Sequence, residues 1–264
     1  MTLGPLVALA AGAVLLLMLA GWLLSLVRRD VSHVDVQWGL GFALVAGLGA
    51  ALGDGAPVRR GLVAVLAAVW GLRLALHIHA RNRGRPEDYR YAAMRARHGA
   101  RFPLVSLFTV YLLQGALMLW IALPLLVATA APEPAAPGAL DVAGVALWAL
   151  GFAFEAIGDR QLARFRADPA NRGKVMVRGL WRYTRHPNYF GDATLWWGFW
   201  LIACAVPGGG WTIASPLVMT FLLLRVSGVA LLERGLVETR PGYRDYVART
   251  SAFLPWFPRR PAAG

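Results

Sequence analysis

Long apolar runs alternate with short polar segments along this 264-residue chain, and most of its charge falls in the polar segments. The runs cover about residues 3–27, 34–52, 61–79, 104–130, 140–158, 189–206 and 211–232. Each is near the ~20 residues that a helix needs to cross the hydrocarbon core of a bilayer. The pattern predicts an all-α, polytopic membrane protein with seven transmembrane helices. Between the runs no stretch is long enough to build a soluble domain, so 1–264 reads as a single integral membrane domain. The Pro-rich stretch 131–138 reads as a short connection between spans.

Charge then orients the helices, because Arg and Lys concentrate in cytoplasmic segments. Alternate connections carry Arg28 and Arg29; then Arg81, Arg83, Arg85, Arg90, Arg95, Arg97 and Arg101; then Arg160, Arg164, Arg166, Arg172, Lys174, Arg178, Arg182 and Arg185. The tail adds Arg234, Arg240, Arg244, Arg249, Arg259 and Arg260, whereas the opposite connections hold only Arg59 and Arg60. This predicts an N-out, C-in topology with functional loops in the cytoplasm. The first run lacks a basic start, and its small residues 10–13 come early, so it reads as a retained span and not a signal peptide.

Composition adds less. The chain is 58% hydrophobic and 16% charged, against about half apolar for soluble domains, which strengthens the membrane reading. Its net charge of +13 brings no nucleic-acid module with it. The single cysteine, Cys204, cannot form an intrachain disulfide and reads as a packing residue. His77 and His79, two apart at the end of the third run, face different sides of a helix and suggest no metal site.

The basic loops carry the candidate chemistry. Arginine binds phosphate through bidentate hydrogen bonds, and the arginines here are interleaved with Asn82, Glu87, Asp88, Tyr91, Asp159, Tyr183, Asn188 and Asp192. That mixture fits a phosphate-bearing cofactor; topology signals and anionic headgroups are the simpler explanation of the arginines. In segment 179–192, GLWRYTRHPNYFGD, the residues Tyr183, Arg185, His186, Asn188 and Tyr189 crowd the start of the sixth run. Pro187 suits a helix start, and Asp192 is an acid just inside a span that calls for a partner. Glu155 and Asp159, four apart, share a helix face, and either Glu155 or Asp192 could neutralise Arg225 in the last run. At the start of the second run, SHVDVQWG contains Asp35 and Gln37. Asp35 reads equally as a helix-terminal acid and as a buried proton donor. The chain has no GxGxxG fingerprint following a strand and no Walker loop, so a dinucleotide would bind without a Rossmann domain.

Segments 82–86 (NRGRP), 155–166 and 179–192, and more weakly 225–255, resemble the steroid 5-alpha reductase family, particularly its bacterial branch. The likeness is strongest over 79–258. It implies a seven-span reductase of the bacterial inner, cytoplasmic membrane. Such a protein takes NADPH from the cytoplasm and reduces a C=C bond conjugated to a carbonyl in a lipophilic, steroid- or isoprenoid-like substrate. By the same resemblance Asn82, Arg85, Asp159, Arg166, Tyr183, Asn188, Asp192 and Arg225 stand at cofactor-binding positions. Lys174 stands where the family often has Arg. Arg185, His186 and Tyr189 belong to the same candidate cofactor segment. The family's substrate side departs from this chain: its Gln-Glu pair in the second span is replaced by Asp35 and Gln37, and its third-span Tyr by Trp70 and Arg73. Asp35 and Gln37 are therefore the candidate catalytic pair that hydrogen-bonds the substrate carbonyl. Two rival readings stay open. Isoprenylcysteine carboxyl and phospholipid methyltransferases, which use S-adenosylmethionine, have a closely similar RHPxYxG segment. A non-enzymatic lipid-binding membrane protein would also carry basic loops.

Overall fold

The computed structural model describes residues 1–226 and 229–259. Residues 227 and 228 of the last predicted span, the side chain of Arg234, and Arg260 lie outside the described residues.

Twelve α-helices follow one another among the described residues. They are α1 (Leu3–Arg28), α2 (Val34–Leu52), α3 (Pro57–Asn82), α4 (Tyr89–His98), α5 (Phe102–Ser106) and α6 (Leu113–Ile121). After these come α7 (Leu123–Ala130), α8 (Ala139–Ala167), α9 (Pro187–Cys204), α10 (Ala214–Phe221), α11 (Val229–Thr239) and α12 (Tyr243–Arg249). No strand forms among them; one isolated parallel bridge joins Thr184 to Ser251. Six helical stretches are long and apolar enough to cross a membrane: α1, α2, α3, Tyr89–Ile121, α8 and Gly209–Val226. The chain is an integral, multi-pass, all-helical membrane protein.

Run and helix coincide over 34–52 and differ elsewhere for identifiable reasons. The helix of the third run extends to Pro57–Asn82, with Pro57 in its first turn where a missing N–H costs nothing. The fourth run is preceded by the amphipathic α4, capped at Asp88 by a bond from Arg90 N of 3.0 Å. The fourth run itself contains a π-helical stretch, Leu107–Leu112, between α5 and α6. The sixth run is the 18-residue α9, whose opening turns carry Asn188, Tyr189 and Asp192. Those polar side chains leave it outside the six most apolar helices.

The chain divides into two compact units, one made of residues 1–141 and 202–212, the other of 142–201 and the residues from 213 onward. In the first, α2 and α3 meet backbone to backbone. A Cβ on Gly39 would stand 2.1 Å from the carbonyl oxygen of Gly71, so only glycine allows the approach. Close crossings of this kind give membrane helices the packing contacts that lipid cannot supply. Phe42 fills the adjacent space between Trp38 and Trp70, with ring centroids 5.5 and 5.6 Å away. Arg59 of α3 is fully buried and grips Asp141 through two bonds of 2.9 and 3.1 Å. It also donates to the carbonyl of Pro134 at 2.8 Å, which ties down the Pro-rich connection.

In the second unit α8 and α9 pack along a glycine seam. A Cβ on Gly191 would lie 2.4 Å from the Glu155 nitrogen and the Gly151 oxygen, and one on Gly198 would lie 2.6 Å from the Gly144 oxygen. Gly158 closes the seam against the ring of Pro187.

Overpacking a tight contact costs roughly 1–3 kcal/mol, while Gly→Ala in an open helix position gains roughly 0.5–1 kcal/mol. Gly191→Ala should therefore lower the melting temperature in mild detergent. Gly47→Ala, whose Cβ meets nothing within 4 Å, should leave it unchanged or raise it. Equal effects of the two substitutions would show that the seam is not a constraint.

Candidate functional site

Two polar clusters stand out, one in each unit. In the first unit the turn after α1 and the loop before α4 are stitched together: Val31 N donates to Glu87 at 2.9 Å and Asp88 N to Ser32 Oγ at 2.7 Å. Arg95 completes the turn with a two-pronged bond to Glu87, 2.8 and 2.9 Å, and lies over the ring of Phe102. This places α4 beside the start of α2. Arg90 Nη2 reaches Asp35 at 3.0 Å while its Nε holds Asp88 at 2.9 Å. Partial burial pulls the Asp88 carboxyl upward, but the hydrogen bonds and charge of Arg90 outweigh it and hold Asp88 below its ordinary value. The Tyr91 hydroxyl donates to the second Asp35 oxygen at 3.0 Å and accepts from Gln114 at 3.5 Å. Trp38 Nε1 donates to Gln114 in turn.

Asp35 thus meets Arg90 and the Tyr91 hydroxyl, one on each carboxyl oxygen. Tyr91, which the sequence pattern did not single out as a partner of Asp35, completes this cluster. Gln37, the other catalytic candidate, is buried over Gly21 and donates to the Leu17 carbonyl at 3.1 Å, while its Oε1 has no hydrogen-bond partner. Asn82 ends α3 and accepts from Arg81 at 3.2 Å, and Arg85 is exposed in the loop that follows.

In the second unit the segment 179–192 is organised around a residue that the sequence reading passed over, Glu233 of α11. Arg185 Nε and Nη2 bind its two oxygens at 2.7 and 3.0 Å, and His186 Nε2 lies 3.0 Å from Oε1. Arg185 Nη1 donates to the carbonyls of Val247, at 3.1 Å, and Thr250. Both Arg185 and His186 are buried, and His186 is stacked on Tyr189 with centroids 5.5 Å apart. Partial burial would raise the Glu233 carboxyl, but the bonds from His186 and Arg185 and their charge prevail and hold it at about 2. Burial, with Glu233 nearby, also pushes Tyr243 up to about 12. Arg185 and His186, expected at the cofactor, therefore clamp the C-terminal tail. The only sign of this in the sequence is an isolated acid just past the last apolar run.

The remaining candidates lie along α8, α9 and the loop between them. Asn188 Nδ2 donates to Asp159 at 3.1 Å, and Asn188 Oδ1 is buried with no hydrogen-bond partner. Glu155 is buried one turn before Asp159, and Asp192 lies one turn after Asn188. Tyr183 is partly exposed, its ring edge-on to Phe257. Arg225 is exposed on the π-helical turn Leu222–Val226; among the described residues no ion pair joins it to Glu155 or Asp192, contrary to expectation.

A phosphate-bearing cofactor needs cations that are not already neutralised. Arg160, Arg164, Arg172, Lys174, Arg178 and Arg182 are all exposed, and among the described residues no carboxylate pairs with any of them. Arg166, which the resemblance puts at a cofactor-binding position, is likewise exposed. Asp168 caps the local turn through Ala170 N, and Asp159 is engaged by Asn188. The residues of 160–182 fit polyanion binding.

An all-helical, multi-pass membrane protein with an exposed basic loop on one unit is the class that fold and site define. Within that class the chain belongs to the DUF1295 family, described as a protein of unknown function, which matches residues 21–250. It is also similar to a Schizosaccharomyces pombe protein described as uncharacterised, C594.04c, at 26% identity over 89% of this chain and 75% of that protein. No solved structure matches it.

The clamp gives a pH prediction. Glu233 is held at about 2 against an ordinary value of 4.5, so its contribution is complete above about pH 4.5 and is lost as pH falls through about 2. Removing one partner of a buried pair costs about 3–5 kcal/mol. Glu233→Ala should therefore melt well below the wild type at pH 7, with the gap narrowing as the pH drops below 4.5. A gap that stayed constant with pH would mean that the ionised pair is not what holds the tail.

Proposed function

We propose that the chain is a seven-span reductase of the cytoplasmic membrane, N-out and C-in. It uses NADPH to reduce a C=C bond conjugated to a carbonyl in a lipophilic substrate drawn from the bilayer. The observation that carries the reading is the division of the arginines. Arg90, Arg95 and Arg185 are bound to carboxylates, whereas Arg160, Arg164, Arg172, Lys174, Arg178 and Arg182 are exposed and pair with no carboxylate among the described residues. Topology alone would not require this division. The orientation draws support from Arg59, which is an exception to the charge rule in sequence but is buried and paired with Asp141.

On this reading Arg166, Arg172, Lys174 and Arg178 hold the phosphates, and the unpartnered Asn188 Oδ1 accepts from a ribose hydroxyl or an amide N–H. NADPH, when bound, supplies the hydride that goes to the β-carbon of the enone. Gln37, or Asp35 in its protonated form, is the candidate donor to the carbonyl oxygen, where negative charge builds as the C=C bond is lost. Stabilising such developing charge is commonly the largest catalytic contribution. A proton from water then completes the α-carbon.

Thermal stability of the purified protein in mild detergent tests the cofactor, since a ligand bound only to the folded state raises stability with saturation. NADPH should stabilise, NADH less so, and Arg166→Ala or Lys174→Ala should weaken the effect severalfold. Selective stabilisation by S-adenosylmethionine would overturn the reading in favour of methyl transfer. No response to any of the three would favour a lipid-binding protein. Asp35→Ala should keep NADPH binding and lose enone turnover; unchanged turnover would remove Asp35 from the mechanism.

A further inference from the structure

The C-terminal segment 251–259, SAFLPWFPR, contains two prolines, which keep it out of helix and ladder alike. It is nonetheless held in place. Thr184 bridges to Ser251 and its Oγ1 donates to the Phe253 carbonyl at 2.8 Å; Trp256 N donates to the Tyr183 carbonyl and Arg259 N to the Arg249 carbonyl, both at 2.9 Å. Phe253 turns inward, its ring 5.8 Å from that of Phe190. Leu254, Trp256 and Phe257 turn outward and are 66%, 73% and 77% exposed. Three large apolar side chains fixed in the open within four residues are out of place on a water-facing surface.

Their depth follows from α8. Trp181 Nε1 donates to the Gly158 carbonyl at 3.0 Å, and Gly158 is where the apolar run of α8 gives way to Asp159 and Arg160. The tail is strapped to Tyr183 and Thr184, two and three residues beyond Trp181, so it lies level with that boundary. Tryptophan, tyrosine and phenylalanine favour this depth, and arginines beside them favour anionic headgroups. We propose that Leu254, Trp256 and Phe257, with the ring of Tyr183 and the exposed Arg249 and Arg259, form an anchor that lies in the headgroup region of an anionic leaflet. The Glu233 clamp behind it sets its position. The depth of the segment, level with the polar end of the apolar run of α8, favours lipid headgroups over a second copy of the chain. This inference does not depend on the cofactor.

The test uses the full chain with Cys204→Ser, Leu254→Cys and an NBD label, in nanodiscs of phosphatidylcholine with or without phosphatidylglycerol. An Ala170→Cys label on the same background, in the exposed loop, reports the fully aqueous case. At position 254 the label should be quenched by shallow brominated lipids and be severalfold less sensitive to aqueous iodide than at 170. Phosphatidylglycerol should strengthen the lipid quenching, and Arg249→Gln with Arg259→Gln should remove that gain. Trp256→Ser with Phe257→Ser should return iodide sensitivity toward the level at 170. Iodide quenching equal to that at 170 in the parent would overturn the proposal. Protection from both quenchers would overturn it too, because a protein surface would then cover the segment.

Discussion

A charge taken out of water in a membrane protein has to bring its partner with it, since neither lipid nor a dry helix interface can solvate it. Arg59 meets this constraint with Asp141, Arg90 with Asp35 and Asp88, Arg95 with Glu87, and Arg185 with Glu233. Such pairs need not add net stability, because desolvating both ions offsets much of their attraction. What they do is fix geometry. Arg59 sets the path of the connection 131–138, Arg90 sets the approach of α4 to α2, and Arg185 sets the position of the tail. Glycine seams then decide how closely the apolar surfaces can follow, as at Gly39 on Gly71 and Gly191 on Gly151.

That constraint divides the arginines into two populations with different physics. The paired ones have little capacity left for a ligand: Arg185 already donates to both oxygens of Glu233 and to two carbonyls. The unpaired ones on 160–182 keep their charge facing water, where it attracts polyanions and is screened by salt. An arginine-rich loop is therefore weak evidence for a phosphate site until its acids have been assigned. Here Asp159 and Asp168 are both committed elsewhere, and the basic loop keeps its field.

Much of the fold was legible in the sequence because helix length and apolarity are local properties. Run 34–52 and helix α2 agree in both bounds, and Pro187 marks the start of α9 as a helix-opening proline should. The amphipathic α4 was hidden among the arginines of its loop, and the π-helical stretch 107–112 leaves no mark in an unbroken apolar run. The site was less legible. Asp35 with Arg90 spans 55 residues, and Arg185 with Glu233 spans 48. Periodicity carries no information about pairing at that range. The pattern could identify the charged residues; it could not say which would neutralise one another. For the same reason the suggested pairing of Arg225 with Glu155 or Asp192 has no counterpart among the described residues.

The RHP motif shows why this matters for function. The segment Arg185–His186–Pro187 resembles both reductases and methyltransferases, two groups whose cofactors share no phosphate chemistry. In this chain its three residues have structural tasks: Arg185 and His186 bind Glu233, and Pro187 opens α9 against Gly158. A motif that holds a tail to a helix bundle is compatible with either cofactor, so its presence cannot choose between them. Specificity has to come from residues whose side chains are uncommitted. Among the described residues those are Arg160, Arg164, Arg172, Lys174, Arg178 and Arg182 and the buried, unpartnered oxygen of Asn188. An anionic dinucleotide gains from that row of cations, whereas the sulfonium of S-adenosylmethionine would be repelled by it, and this difference in charge favours the reductase reading.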